Sequence, residues 1–206
     1  MCYNAEVSGG TFLFVSLISF WLWQRNSGID RPIAGILFFI SVMQALEWIL
    51  WLNLDCNLVN KLITRLIPIY ISLQPVIVNL IVWYFGAGWA PGYLQLALLC
   101  LAFVPFVIWR NQAIPGQCVK VGTGGNLVWP GIPGEGWDSY LIRLVYYPSL
   151  LYPILTLNNT LFSGLYAVFA CLSIFMMSAK SKEAWPSLWC HFVNFLAIFA
   201  VVRPSP

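Results

Sequence analysis

The sequence predicts an all-α protein, a polytopic transmembrane bundle of seven helices, and three observations support this fold class. Of its 206 residues, 60% are hydrophobic and only 8% are charged, whereas soluble domains carry about 25% charged residues. The mean hydropathy is +0.80. The apolar residues form long unbroken runs, whereas a transmembrane β-barrel shows segments of about ten residues that alternate between apolar and polar. A water-soluble globule and a membrane barrel are both poor descriptions of this chain.

Seven apolar runs approach the length of about 20 residues that a helix needs to cross a bilayer. Short segments rich in helix-breaking and polar residues separate them. The fifth run contains Arg143, Pro148 and Pro153, and only Asn158 and Asn159 separate it from the sixth. Six helices plus a re-entrant segment is therefore the alternative topology. The runs are residues 8–24, 33–52, 66–85, 92–109, 141–157, 161–178 and 186–202.

We expect a single transmembrane domain, residues 1–206, with one sizeable extramembrane loop at residues 110–140. In that loop, Gly124 and Gly125 separate two short β-prone stretches, which predicts a Gly-rich β-hairpin lying on the membrane surface. Trp129 and Trp137 would anchor the loop at the interface. No basic segment precedes the first apolar run, so the first span is expected to be the targeting signal itself.

Two criteria for orientation disagree. Seven spans place the N-terminus on the same side as the second, fourth and sixth connections, which we call side A, and the opposite side is side B. Side A carries more bases, which favours a cytoplasmic side A, but Arg25 and Arg31 follow the first span while only Glu6 precedes it. Because the first helix usually dominates, we expect the N-terminus outside and the C-terminus in the cytoplasm. The side A bases are Lys61, Arg65, Arg110, Lys120, Arg143, Lys180 and Lys182, and the side B bases are Arg25, Arg31 and Arg203.

The cysteines bear on the same question. Cys2, Cys56, Cys118 and Cys190 map to side A or its membrane boundary. They could form disulfides if that side is oxidising, and the alternative is four buried free thiols.

Motifs for common chemistries are absent from the sequence. The single histidine, His191, excludes His clusters, and there is no C-x-x-C pair, phosphate-binding loop or dinucleotide fingerprint. The last span contains no lysine, so a retinal Schiff base has no attachment site. We therefore expect no enzymatic activity, no metal or other cofactor, and no nucleic-acid partner.

Polar residues inside the predicted spans are the candidate functional residues, because a charge at membrane depth is costly unless it is paired or faces water. Antiparallel packing across a short turn sets Glu47 level with Arg65, which predicts a buried ion pair. Gln74 precedes Pro75, and a mid-span proline bends a helix and frees a carbonyl group. The full candidate set is Glu47, Arg65, Gln44, Gln74, Asn79, Arg143, His191 and Asn194.

Three short motifs occur together in the chain. They are Met1-Cys2-x-Asn4 followed by Ser8, Met43-Gln44-x-x-Glu47, and Ser187-Leu188-Trp189-Cys190 followed by Asn194. Together they resemble an uncharacterised multi-pass membrane protein family of giant DNA viruses of algae and protists, with Tyr3 where that family is expected to carry Trp. The resemblance implies a viral or protist membrane and implies no activity.

We therefore expect an integral membrane channel or transporter for a small ion or anionic solute, with the polar cluster lining its route. Glu47 would be its switchable charge. The alternative is a non-catalytic receptor or structural subunit in which the cluster only fixes helix packing. The lipid bilayer is the expected partner, and a second copy of the chain is a further candidate.

Overall fold

A computed structural model describes residues 4–86, 89–112, 117–130, 137–157, 164, 168 and 196–202. Four helices in this part are long and apolar enough to cross a membrane. They are α1 (Ala5–Arg25), α2 (Asp30–Trp51), α3 (Leu58–Ile81), which continues as a π-helical turn (Val82–Gly86), and α4 (Pro91–Gln112). The remaining described elements are β1 (Lys120–Val121), β2 (Leu127–Val128), α5 (Trp137–Leu155) and α6 (Leu196–Val202).

These elements confirm the helical, membrane-embedded class at a coarse level. The predicted count of seven helices is a finer statement, and it stays a prediction. The predicted sixth span, 161–178, and most of the seventh, 186–202, lie outside the described residues.

Side chains at the chain reversals define where the first helices begin and end. Asn4 caps α1 by accepting a hydrogen bond from the Val7 amide at 2.8 Å, which satisfies one of the free amides of the first turn. Asn26 ends α1 in the left-handed conformation at φ 49°, a role that suits asparagine. Asn57 caps α3 in the same way as Asn4 by accepting from the Asn60 amide at 2.9 Å.

Helix α3 is central, because it packs against α2, α4 and α5. Its contacts with α5 run in the same direction along both helices, from Gln74 with Tyr146 to Asn79 with Ser149. The α4–α5 pair is antiparallel. The N-terminal ends of α1, α3 and α5 therefore share one end of the bundle, as the predicted side A requires. Helix α6 packs against α1 and α2.

Helix α3 starts well before the predicted third span, which began at residue 66. Its first turns carry Lys61 and Arg65, which precede the third apolar run in the sequence and lie on the exposed face of the helix. Helix α5 continues through Pro148 and Pro153. Its apolar stretch, Leu144–Leu155, is shorter than the four long spans.

Strands β1 and β2 pair antiparallel, with Lys120 opposite Val128. Gly125 in the turn has φ 71°, a conformation that glycine adopts without strain. Val119, just before β1, and Leu127, in β2, are fully buried, and Trp129 is 6% exposed and belongs to the main apolar core. Trp129 therefore packs inside the protein against the helix ends instead of being exposed as an anchor, and the position of the hairpin relative to the membrane surface stays a prediction.

Candidate functional site

Three buried polar residues form a stripe on α2. Ser41, Gln44 and Glu47 follow one another at intervals of three residues, so they lie on neighbouring parts of one helix face. Each is 0% exposed. Glu47 lies four residues before the last residue of α2, about 6 Å along the helix axis. An acidic side chain is therefore enclosed in the bundle a little more than one turn from its side A end.

The predicted ion pair between Glu47 and Arg65 is not formed. Arg65 is exposed, whereas its neighbour Thr64 is buried, and one residue corresponds to a rotation of about 100° around a helix. The ion pair found within the described part of the chain joins Arg25 and Asp30 instead. The depth predicted for Arg65 was reasonable, but its side chain belongs to the outer face of α3.

Gln74 lies in the interior of α3, where it is 1% exposed. Its Oε1 accepts a hydrogen bond from the Tyr146 hydroxyl of α5. Its Nε2 has no hydrogen-bond partner among the described residues. A buried amide with one unused donor end is a candidate contact for a polar solute or a water molecule. Sequence reasoning selected Gln74 but missed Tyr146, because the direction of a tyrosine in α5 depends on how α5 packs.

Asn79 connects helices rather than lining an open route. Its Nδ2 donates to the carbonyl oxygen of Pro75 at 2.7 Å and to that of Ser149 at 2.8 Å. The Ser149 hydroxyl is hydrogen-bonded in turn to the thiol of Cys100 on α4. This chain of contacts links α3, α4 and α5 at one level, which is the role that polar side chains commonly have between membrane helices.

A second polar network, at side A, was missed by sequence reasoning. The Asn60 carboxamide accepts a hydrogen bond from the Val119 amide at 3.1 Å and donates to the Val119 carbonyl oxygen at 3.2 Å. It also donates to the Asn53 carbonyl oxygen at 2.8 Å and accepts from the Thr64 hydroxyl at 3.0 Å. This one residue therefore joins the end of α2, the start of α3 and the segment before β1. The four-residue spacing of Asn60 and Thr64, beside the charged pair Lys61 and Arg65, is the signal that could have revealed it.

A disulfide strengthens the same junction. Cys56, between α2 and α3, is bonded to Cys118, just before β1, with the two Cα atoms 5.4 Å apart. Two of the four side A cysteines are thus paired with each other. Cys100 is a buried free thiol. Cys2 and Cys190 lie outside the described residues.

The junction between α1 and α2 contains a further residue that sequence reasoning missed. Asp30, fully buried, accepts hydrogen bonds from Arg25 Nε at 2.6 Å, from Arg25 Nη2 at 2.7 Å and from the Ser27 amide at 2.9 Å. The Arg25 guanidinium also lies 4.4 Å from the centre of the Trp21 ring. These hydrogen bonds fix the turn, and the Arg25 guanidinium neutralises the charge of Asp30.

The other candidates fall outside what is described. Arg143 is part of α5, but its side chain is not among the described groups, and His191 and Asn194 lie in the segment between residues 168 and 196. In the described part of the chain, no group of three His, Cys, Asp or Glu side chains is close enough to hold a metal ion.

The helices and the buried polar groups together define a membrane-embedded helical protein with a polar interior. Comparison of the chain with family models, curated proteins and solved structures finds no match in any of the three. The resemblance to the viral and protist family therefore stays a prediction.

Proposed function

We propose that the protein is a channel or transporter for a small ion, and that its cargo is a cation. The observation that supports the proposal is the complete burial of Glu47 inside the bundle. An ionisable residue within a transmembrane bundle is expensive, and such residues commonly mark ion pathways.

An acidic side chain inside the bundle favours a cation over an anionic solute as the cargo. The buried acids are Asp30 and Glu47, and Asp30 is neutralised by Arg25. Arg65, which would have made the interior positive, lies on the exposed face of α3. Glu47 is therefore not neutralised by Arg65, the base that the sequence predicted beside it.

Neutral polar groups continue inward from Glu47. Gln44 lies one turn deeper on α2, and Ser41 lies one turn beyond it. The Tyr70 hydroxyl of α3 bonds to the Phe39 carbonyl oxygen of α2, which sets this depth level with the stretch of α3 that leads to Gln74. Oxygen and amide groups at successive levels can replace part of the hydration shell of a moving cation.

The second candidate is a structural or receptor subunit in which these groups only fix packing. The networks of Asn60 and Asn79 favour this function, because both side chains are buried and hydrogen-bonded to the backbone of another element, so they hold elements together. The two functions differ in what they require of Glu47, since packing needs its shape and hydrogen bonds, whereas conduction of a cation needs its charge.

Ion flux into proteoliposomes tests the proposal. Purified protein should move protons or alkali cations, and Glu47→Gln, which removes the charge and keeps the shape, should abolish the flux. Glu6→Gln is the matched control, because Glu6 is an exposed acid in the first turn of α1 and its loss should leave the flux unchanged. Both variants are first compared with the parent protein by gel filtration and thermal melting.

Three results would contradict the proposal. The first is a folded parent protein that moves neither protons nor alkali cations, and the second is a folded Glu47→Gln variant with normal flux. If Glu47→Gln does not fold, Glu47→Asp keeps the charge and displaces it by one methylene. Loss of cation flux in folded Glu47→Asp protein would then be the third contradicting result, because this variant keeps the charge that the proposal requires.

We further propose that side A faces an oxidising compartment, with the N-terminus outside and the C-terminus in the cytoplasm. The Cys56–Cys118 disulfide supports this orientation, because disulfides persist mainly in oxidising compartments. Thr123→Cys, at the exposed tip of the hairpin, should react with a membrane-impermeant maleimide on intact cells, and Gln24→Cys, at the side B end of α1, should react only after permeabilisation. The opposite pattern would reverse the orientation.

A further inference from the structure

Three bases at side A have no part in the buried polar stripe. Lys61 and Arg65 lie one turn apart on α3, and Lys120 lies in β1, and all three are exposed. None of them forms an ion pair within the described part of the chain. Asp55 is the nearby acid in the α2–α3 connection. We call Lys61, Arg65 and Lys120 the side A basic patch, and together with Asp55 these described side chains carry an excess of positive charge.

The network around Asn60 holds the backbone next to Lys120 against the part of α3 that carries Lys61 and Arg65. The Val119 amide bonds to Asn60 Oδ1 at 3.1 Å and to Thr64 Oγ1 at 3.2 Å. Lys120 directly follows Val119, and Lys61 and Arg65 directly follow Asn60 and Thr64. Each base is therefore the immediate neighbour of a residue that is fixed and buried, so the patch is built on a rigid support.

Apolar side chains surround the basic pair on α3. Leu58, Leu62 and Leu66 are 72%, 50% and 48% exposed. They lie three or four residues apart on the same outer face as Lys61 and Arg65. A face that combines exposed leucines with bases is suited to a membrane boundary, where one part contacts acyl chains and the other contacts headgroups.

The direction of α3 places the bases correctly for that boundary. Its N-terminus lies at side A, and helical side chains tilt toward the N-terminus of their helix. The long side chains of Lys61 and Arg65 therefore extend outward toward the headgroups of the side A leaflet while their stems lie along apolar surface.

From these contacts we infer that the side A basic patch binds the phosphate of an anionic phospholipid headgroup. Lysine supplies a point charge and arginine supplies a planar fork of donors, and both are suited to phosphate oxygens. The exposed leucines interspersed with the bases distinguish a lipid from a free phosphate ion, because only a lipid also provides acyl chains for them. This inference does not depend on ion transport.

Native mass spectrometry of protein released from nanodiscs tests it. The nanodiscs contain equal amounts of phosphatidylglycerol and phosphatidylcholine, and retained lipids are counted by mass. We expect the parent protein to prefer phosphatidylglycerol by at least about fivefold, which corresponds to one well-placed base. The triple variant Lys61→Gln/Arg65→Gln/Lys120→Gln should lose that preference.

The matched control is a pair of single variants. Arg31→Gln, at an exposed base in the first turn of α2 at side B, lowers the net charge by the same amount as Arg65→Gln and should keep the preference, whereas Arg65→Gln should weaken it. Thermal melting checks that the triple and single variants are folded.

Two results would overturn the inference. One is an unchanged preference in the folded triple variant. The other is full displacement of phosphatidylglycerol by inorganic phosphate at the same concentration of phosphate groups, which would indicate a site for a soluble anion. Neither result depends on the flux assay, so failure here and failure of the cation route are distinguishable.

Discussion

Replacing Asn60 by leucine is expected to release the β-hairpin from the helix ends. Leucine has a similar volume but forms no hydrogen bonds, so the four bonds of the carboxamide are lost together. These are the bonds to the Val119 amide, the Val119 carbonyl, the Asn53 carbonyl and the Thr64 hydroxyl. The Val119 amide keeps its second partner, Thr64 Oγ1, at 3.2 Å.

The size of the effect follows from what remains unpaired. A typical hydrogen bond contributes about 1 kcal/mol net, and a buried group left without a partner costs about 1–3 kcal/mol. The carbonyl groups of Val119 and Asn53 lose the Asn60 donor in the variant. We therefore expect Asn60→Leu to destabilise the docked hairpin by about 3–5 kcal/mol.

Alkylation of Cys118 after reduction measures this opening directly. In the reduced parent protein Cys118 is protected by the docked hairpin, since it is 6% exposed. A loss of about 3 kcal/mol increases the open population, and hence the alkylation rate, by about a hundredfold. Asn57→Ala is the control, because it removes one exposed cap that is worth about 1 kcal/mol. Equal alkylation rates in Asn60→Leu and Asn57→Ala would refute the role assigned to Asn60.

Two further predictions concern the α1–α2 pair. Gly9→Ala should destabilise the protein by about 1–3 kcal/mol, because a Cβ atom there would lie 2.9 Å from two ring atoms of Trp48. Gly10→Ala is the control and should be neutral or stabilising, because a Cβ atom there meets nothing within 4 Å. A lower melting temperature for Gly10→Ala than for Gly9→Ala would contradict this packing. Asp30→Asn should cost about 1.5–3 kcal/mol in SDS-induced unfolding, since it removes the buried carboxylate that accepts hydrogen bonds from Arg25 and Ser27, and a change below about 1 kcal/mol would show that the pair behaves like an exposed one.

Composition and run length were sufficient to predict the membrane class and four of the spans. Both depend on sums over many residues, so a few misplaced charges change little. They were not sufficient to predict which way a single side chain faces. Arg65 illustrates the limit, because its predicted depth was reasonable and its direction was wrong.

The facing of α3 could have been predicted more fully from the sequence. Asn60, Thr64, Ile67, Gln74 and Val78 follow a helical spacing and are all buried. If that stripe faces the interior, Lys61 and Arg65 must face outward, because each directly follows a stripe residue and is turned away from it by about 100° around the helix. The prediction of a Glu47–Arg65 pair considered depth alone.

Contacts between distant segments could not be predicted in the same way. Asn60 meets Val119 across 59 positions of the chain, and Cys56 meets Cys118 across 62. No local pattern gives the partner of a residue over such a separation, and spacing left the pairing of the cysteines open. The burial of Trp129 has the same origin, since it follows from docking of the hairpin.

Asn60 connects two features that have different functions in our proposals. It holds the hairpin to the helix ends, and it lies beside Lys61, whose partners in the side A basic patch are fixed by the same hydrogen bonds. Asn60→Leu should therefore weaken hairpin docking and the lipid preference together, because Lys120 leaves with the hairpin. Neutralising the three bases should remove the lipid preference alone, since none of them contributes a side-chain hydrogen bond to the Asn60 network. If Asn60→Leu weakens both hairpin docking and the lipid preference while the triple variant affects only the lipid preference, the lipid site is built on the docked hairpin. If Asn60→Leu leaves the lipid preference unchanged, the site is a surface charge that does not depend on the hairpin.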